Sequence, residues 1–220
     1  MKNLNFWEEE IYSKNQQWND YPFTELLSQF SRVTDGFLRK GSVLEVGCGL
    51  GNNLIALAKL DYSCHGVDIS ETAINEAKKR SLRKNVKIDF ITADIENNTL
   101  PFGYFDFIID RSTITCIPFS SINRIIDNIY QSLNEDSYFL GFDWISKKTD
   151  DLRFGTTVDT NTFTNFQGGK YKNNNFVTAF TYNEIKIIFD NFSKVEINTI
   201  TNVNDLSLNT FESFSIVAKK

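Results

Sequence analysis

Residues 43–52 read Val43-Leu44-Glu45-Val46-Gly47-Cys48-Gly49-Leu50-Gly51-Asn52, an apolar strand that runs into three glycines spaced two apart. Glycine at 47, 49 and 51 lets the backbone turn sharply and approach a ligand closely. Residues 52–60 (NNLIALAKL) carry apolar side chains at helical spacing, so the helix aims its free N-terminal amides back at the loop. A tight turn without a ligand would also select glycine. The second signal is Asp68, 23 residues after Glu45. There a doubly wound sheet presents a carboxylate to ribose hydroxyls.

Outward from this unit the same rhythm continues. Residues 63–69 (SCHGVDI) predict a second strand, and Ser70-Glu71 caps a helix to about Leu82. Residues 86–92 and 104–110 predict strands three and four, Ser120-Ser121 starts a helix to about Leu133, and 137–143 (SYFLGFD) is a fifth strand. Strands alternating with helices predict parallel βαβ units covered on both faces. After a helix at about 182–190, the runs 194–201 and 211–218 predict an antiparallel hairpin. The expected fold is α/β: one doubly wound, seven-stranded, mostly parallel sheet with a C-terminal antiparallel hairpin. Two regions stand outside the sheet: an N-terminal helical cap, 1–40, broken at Tyr21-Pro22, and an insertion, 144–180, after strand five. The insertion is too long for a simple connection and is expected to carry function.

The chain has 220 residues with a formal charge of −5, which fits a single domain without linker or repeat. The acidic balance speaks against nucleic acid as partner, because phosphate binding needs a basic face. The cluster Lys78-Lys79-Arg80 reads as a solvated helix face. Cys48, Cys64 and Cys116 form no metal-type pair and cannot all pair internally, so no metal site and a reduced, cytoplasmic compartment are expected. The stretch MKNLNFWEEE lacks an apolar signal region, and no apolar run approaches the ~18–20 residues of a membrane span.

A dinucleotide fingerprint wants glycine or alanine where Asn52 stands, and Glu45 suits a cationic ligand better than a diphosphate. S-adenosylmethionine carries a sulfonium and an ammonium. Here the chain resembles the class I S-adenosylmethionine-dependent methyltransferases: Glu45, Gly47, Gly49 and Gly51 match the first motif, Gly66-Val67-Asp68-Ile69-Ser70 the second and Ala93-Asp94-Ile95 the third. Leu100-Pro101-Phe102 through Phe105–Arg111 resembles the approach to the fourth strand. The resemblance covers about residues 40–145, and the terminal hairpin by topology. It implies that Gly47 and Gly49, with Cys48, Gly51 and Asn52 in the same loop, pass beneath the methionine portion. Asp68 would hold the ribose, Asp94 would accept from the adenine amino group between Ile69 and Ile95, and Asp110 would face the transferred methyl.

Many relatives continue the fourth strand as D-R-G-x-L-H-H-I-P, whereas this chain reads Asp110-Arg111-Ser112-Thr113-Ile114-Thr115-Cys116-Ile117-Pro118. Both histidine positions are lost. The one histidine, His65, starts the second strand, away from the ligand edge. The expected catalytic residues are therefore Asp110, Asp143 and Arg111, with Asp143 alternatively a cap for the following segment. The acceptor pocket is expected from Trp7, Tyr12, Trp18 and Tyr21 on one side and from Trp144, Arg153, Phe166 and Tyr171 on the other, with Trp18 also covering the cofactor. Arg111 and Arg153 could pair with a carboxylate or phosphate. The expectation is methyl transfer to a small polar metabolite, at an oxygen of a sugar or acidic molecule, by a monomer or homodimer. The alternatives are N-methylation, a macromolecular acceptor, and a non-catalytic cofactor-binding module.

Overall fold

The computed structural model describes residues 6–14, 19–97, 100, 103–172, 174–204 and 209–220. Its centre is β1 (Ser42–Val46), buried from Val43 onward, as a strand covered on both faces requires. Parallel β2 (Ser63–Asp68) and β3 (Ile88–Thr92) lie to one side of β1, and parallel β4 (Phe105–Arg111) and β5 (Leu133–Ile145) to the other. The antiparallel β9 (Lys194–Val203) and β10 (Thr210–Lys219) close the second side, giving the order β3-β2-β1-β4-β5-β10-β9. The strand order reverses between β1 and β4, where open α/β sheets hold ligands beyond the carboxyl ends of their strands.

Side-chain alternation divides the core into two layers. Val43, Phe107, Ile109 and Leu140 pack under α1 (Thr24–Val33), α2 (Asn52–Ala58) and α3 (Glu71–Arg83). Leu44, Val46, Ile108 and Phe139 pack under α4 (Ile122–Ser132) and α5 (Tyr182–Ile188). Ser70 caps α3 by accepting from the Ala73 amide at 3.0 Å, and Thr181 with Glu184 forms a capping box on α5.

Strand β5 is longer than the sequence pattern indicates, because Phe142 and Asp143 together oppose Ser215 in a bulge, with Asp143 at φ +56°. The extra residue returns Trp144 to the layer of Phe139 and Ile108 and turns Asp143 out of the alternation. The N-terminal region holds a π-helical turn, Phe6–Tyr12, and α1, one on each side of Tyr21-Pro22. Between β5 and α5 the chain makes a three-stranded sheet, β6 (Thr156–Thr157), β7 (Thr162–Thr164) and β8 (Val177–Thr178), over a small core containing Leu152, Phe166 and Tyr171.

Arg80 departs from the solvated face assigned to its cluster. It is buried, donates to Asn19 O at 2.6 Å and Asn52 Oδ1 at 3.0 Å, and pairs with Asp20 at 3.0 Å. It thereby ties residues 19–20 to the first turn of α2. Among the described residues no helix is long and apolar enough to cross a membrane.

Candidate functional site

A cavity of about 570 Å³ opens at the carboxyl ends of β1, β2 and β4. Its floor is the glycine loop. Gly47 at φ +65° has no room for a Cβ, which would stand 1.8 Å from Thr113 Oγ1, and a Cβ on Gly49 (φ +52°) would meet the Tyr12 hydroxyl at 2.7 Å. Both glycines are required by backbone conformation and by close approach. Gly51, expected to touch the ligand, does not line the cavity. Its φ of +76° starts α2, and a Cβ there would strike Phe90 at 2.9 Å, so it serves helix-to-strand packing.

Three buried carboxylates surround this loop. Glu45 accepts from Asn53 Nδ2 at 2.6 Å, but its Oε2 has no hydrogen-bond partner among the described residues, and burial raises its pKa to about 8. Asp68 accepts from the Gly49 amide at 2.8 Å and the Ser70 amide at 2.9 Å, so it also braces the loop. Burial lifts it to about 6, against the lowering effect of those amides. Asp110, raised to about 7 by burial, is a correction to the sequence expectation. It accepts from the Thr113 amide at 3.0 Å, the Ile114 amide at 3.2 Å and Trp144 Nε1 at 2.8 Å, and it does not line the cavity. Its oxygens hold the turn after β4 and the indole after the bulge.

Glu45, Gly47, Cys48, Gly49, Asn52, Asp68, Ile69, Asp94 and Ile95 all line the one cavity. Asp94 also holds its own turn, accepting from the Glu96 amide at 2.9 Å and Asn97 Nδ2 at 2.7 Å. Arg111 and Asp143 line the other end, with Arg111 Nε 3.3 Å from Asp143 Oδ2 and the guanidinium 4.4 Å from the Phe23 ring centroid. Asp143 is thus an ion-paired bulge residue rather than a cap. Trp7, Tyr12, Tyr21 and Tyr171 contribute to the walls. Trp144 and Phe166 are core residues, and Arg153 donates to Asn209 Oδ1 at 3.0 Å, so none of these three reaches the cavity. Trp18 lies outside the described residues.

Two lining groups escaped the sequence reading. Asn53 joins Glu45 to the Phe23 amide, which donates to its Oδ1 at 2.8 Å. Lys170 follows the turn Gly168-Gly169, and that glycine pair before a cation and a ring was its only available signal. The histidine positions hold Thr115 and Cys116, and burial pushes the Cys116 thiol up to about 12, leaving it neutral. His65 does not line the cavity. It lies on β2 with Nδ1 3.7 Å from Asp89.

Residues 43–136 match a family model described as a methyltransferase domain, and the matched segment holds the glycine loop, Asp68 and Asp94. Over this segment the chain is similar to methyltransferase domains, in line with its resemblance to the class I S-adenosylmethionine-dependent methyltransferases. The chain is 28% identical over 137 residues to a putative methyltransferase of Geobacillus sp. (strain WCH70), covering 59% of the chain and 53% of the relative. It is 32% identical over 104 residues to a carboxy-S-adenosyl-L-methionine synthase of Campylobacter concisus, covering 46% and 44%. The chain thus spans about half the length of these curated relatives. Its fold is similar to that of the PH0226 protein from Pyrococcus horikoshii, with a TM-score of 0.67 at 17% identity over 96% of the chain and 99% of that protein. The cofactor of the family is S-adenosylmethionine. The observed donor set fits it, because a buried carboxylate with an unpartnered oxygen beside two glycines that cannot carry a Cβ is chemistry for a cation held close to backbone.

Proposed function

We propose that the protein transfers the methyl group of S-adenosylmethionine to an oxygen of a small polar metabolite. The carrying observation is that one cavity joins the glycine loop, Asp68 and Asp94 to a second, chemically different set, Arg111, Asp143, Lys170 and Tyr171. A cofactor-binding module alone would not need the second set. In this reading Gly47, Cys48 and Gly49 underlie the methionine portion, Glu45 faces its positive charge, Asp68 holds the ribose hydroxyls, and Asp94, Ile69 and Ile95 frame the adenine.

The cofactor, when bound, supplies a methyl group already activated on a sulfonium. The protein's part is to hold the acceptor in line, to exclude water and to receive a proton. Holding two reactants in line can contribute up to ~7–11 kcal/mol in favourable cases. Asp143 is the carboxylate assigned to the proton, with Arg111 holding it at the cavity wall. The rings of Tyr21, Phe23 and Tyr171, from the N-terminal segment and the insertion, provide the apolar cover, so these two regions act as the acceptor cap.

The test is incubation with methyl-labelled S-adenosylmethionine and a metabolite extract. Label should enter small molecules. Label recovered only in protein or RNA would replace this reading with a macromolecular one, and no label despite normal S-adenosylhomocysteine affinity would reduce the protein to a binding module.

A further inference from the structure

We propose that the cavity end between β4 and the insertion is an anion subsite, in which Lys170 and Arg111 together hold a carboxylate or phosphate group carried by the methyl acceptor. The inference rests on the acceptor-cap reading above and names the chemistry of the group that cap receives.

Two cations from distant parts of the chain line the same cavity with donors to spare. Arg111 ends β4, and among the described residues its Nε meets Asp143 while its two Nη nitrogens have no partner. The ammonium of Lys170 has no anionic partner among the described residues and lies 3.6 Å from the Phe211 ring centroid. Asp143 and Asp151 attract it through space, but neither forms an ion pair with it among the described residues. Asp151 Oδ2 accepts the Lys170 backbone amide at 2.7 Å, its Oδ1 faces Asn209 Nδ2 at 3.5 Å, and Asp143 is engaged by Arg111 Nε.

The placement of Lys170 is built. Gly169 adopts φ +69°, and a Cβ there would meet Asp151 and Phe154 at 2.8 Å, so the turn that delivers Lys170 is sterically fixed. Tyr171 is buried against Phe166 in the insertion core and anchors the next position. Arg111 is held in turn by the face of Phe23, whose amide is tied to Asn53. Ring faces thus restrain both cations without neutralising them. Arg111 and Lys170 are balanced in charge by Asp143 in the wall and Asp151 behind Lys170, so the subsite rests on the free donors of the two cations rather than on net charge. A guanidinium fork beside an ammonium matches a planar carboxylate or a phosphate, whereas a neutral acceptor would leave the Nη nitrogens of Arg111 and the Lys170 ammonium without an acceptor once water is excluded.

The test loads the protein with S-adenosylhomocysteine and titrates it by calorimetry with inorganic phosphate, benzoate and, as the neutral ring, benzyl alcohol. At least one of the two anions should bind saturably and benzyl alcohol should not. Binding of phosphate alone assigns a phosphate-bearing acceptor, and binding of benzoate alone a carboxylate-bearing one. Lys170→Met and Arg111→Met should each weaken the anion at least tenfold, and Lys170→Met should keep S-adenosylhomocysteine affinity within twofold. The proposal is overturned if neither anion binds saturably, if benzyl alcohol binds as well as benzoate, or if anion binding survives both substitutions. Failure of S-adenosylhomocysteine to bind would instead defeat the function proposed above, and the same titrations on the unloaded protein would then decide the subsite by the same criteria.

Discussion

At the glycine-loop end of the cavity, the three acidic lining groups sit at or just after the carboxyl ends of β1, β2 and β3, so Glu45, Asp68 and Asp94 are positioned by neighbouring parallel strands. At the other end only Arg111, Asp143 and Ile145 sit in long sheet strands. Tyr21, Phe23, Lys170 and Tyr171 come from the N-terminal segment and the insertion. The three acids of the first end inherit their places from a ladder of backbone hydrogen bonds. The second end depends on side chains that tie separate segments together, such as Asn53 to Phe23 and Arg80 to Asn19. One scaffold can therefore keep its cofactor end while the acceptor end varies with the segments laid over it.

Asp110 joins the two ends, and its removal is the largest effect expected. Asp110→Ala strands the Trp144 indole and the amides of Thr113 and Ile114 in a buried site. At ~1–3 kcal/mol for each unmet buried donor, and with partial relaxation, a loss of about 3–5 kcal/mol in unfolding free energy is expected. Denaturant melts decide it. A variant of normal stability that had lost only turnover would return Asp110 to the role of catalytic base and dissolve the distinction between positioning and contact residues at this site.

Next in size is Asp68→Ala, confined to the first end. Loss of a charged acceptor for ribose hydroxyls, of the ~1.5–3 kcal/mol kind, corresponds to roughly one to two decades in cofactor affinity. Because Asp68 also accepts the Gly49 amide, the loop loosens with it. Calorimetry with S-adenosylhomocysteine measures the change, and unchanged affinity would take Asp68 out of the site.

The mostly parallel sheet, its terminal hairpin and the gathering of Glu45, Asp68 and Asp94 at one edge were legible because their signals are local. Apolar period, glycine spacing and an acid at a strand end all lie within a few residues of what they specify. What escaped depends on partners distant in sequence. The role of Asp110 is set by Trp144, 34 residues on, and Arg80 is buried because residues 19 and 20 cross it. Asp143 read as a strand end because a bulge has no period of its own, and the two residues opposite Ser215 are visible only once β10 is paired with β5. The loop Ser112-Thr113, where relatives begin with glycine, keeps Ser112 at φ +59°, so the turn survives the change of residue and composition alone misleads there.

A smaller effect separates the ends by pH. Folded Glu45 titrates near 8, above the ordinary carboxylate value, because burial disfavours its charge. The folded state therefore binds a proton that the unfolded chain releases from about pH 4.5 upward. Stability from this group is full in acid and is lost as pH rises to about 8. Asp110, near 7, and Asp68, near 6, act in the same direction. The thermal midpoint of the ligand-free protein should fall between about pH 5 and 8. Glu45→Gln should flatten the upper part of that fall, and saturating S-adenosylmethionine should do the same by setting a cation beside the carboxylate. An unaltered slope in the variant would mean that Glu45 does not carry this charge.

The smallest effect is expected at His65, and it tests whether the ligand edge has been drawn on the correct side of the sheet. His65 lies three residues before Asp68 on β2, about 10 Å along the strand at ~3.3 Å per residue, and its ring faces Phe105 at 5.4 Å rather than the cavity. Burial lowers its pKa, with Asp89 opposing, so the ring is predominantly neutral at pH 7 and its replacement changes little charge. His65→Asn should leave cofactor affinity and turnover within about twofold, measured by calorimetry and by methyl transfer once an acceptor is in hand, with a stability change near the ~0.5–1 kcal/mol of an ordinary partly buried substitution. A thousandfold loss of kcat in a folded variant would require His65 to act on a reacting atom, which its position on the strand forbids. Such a result would move the chemistry from the carboxyl edge of β2 to its opposite end.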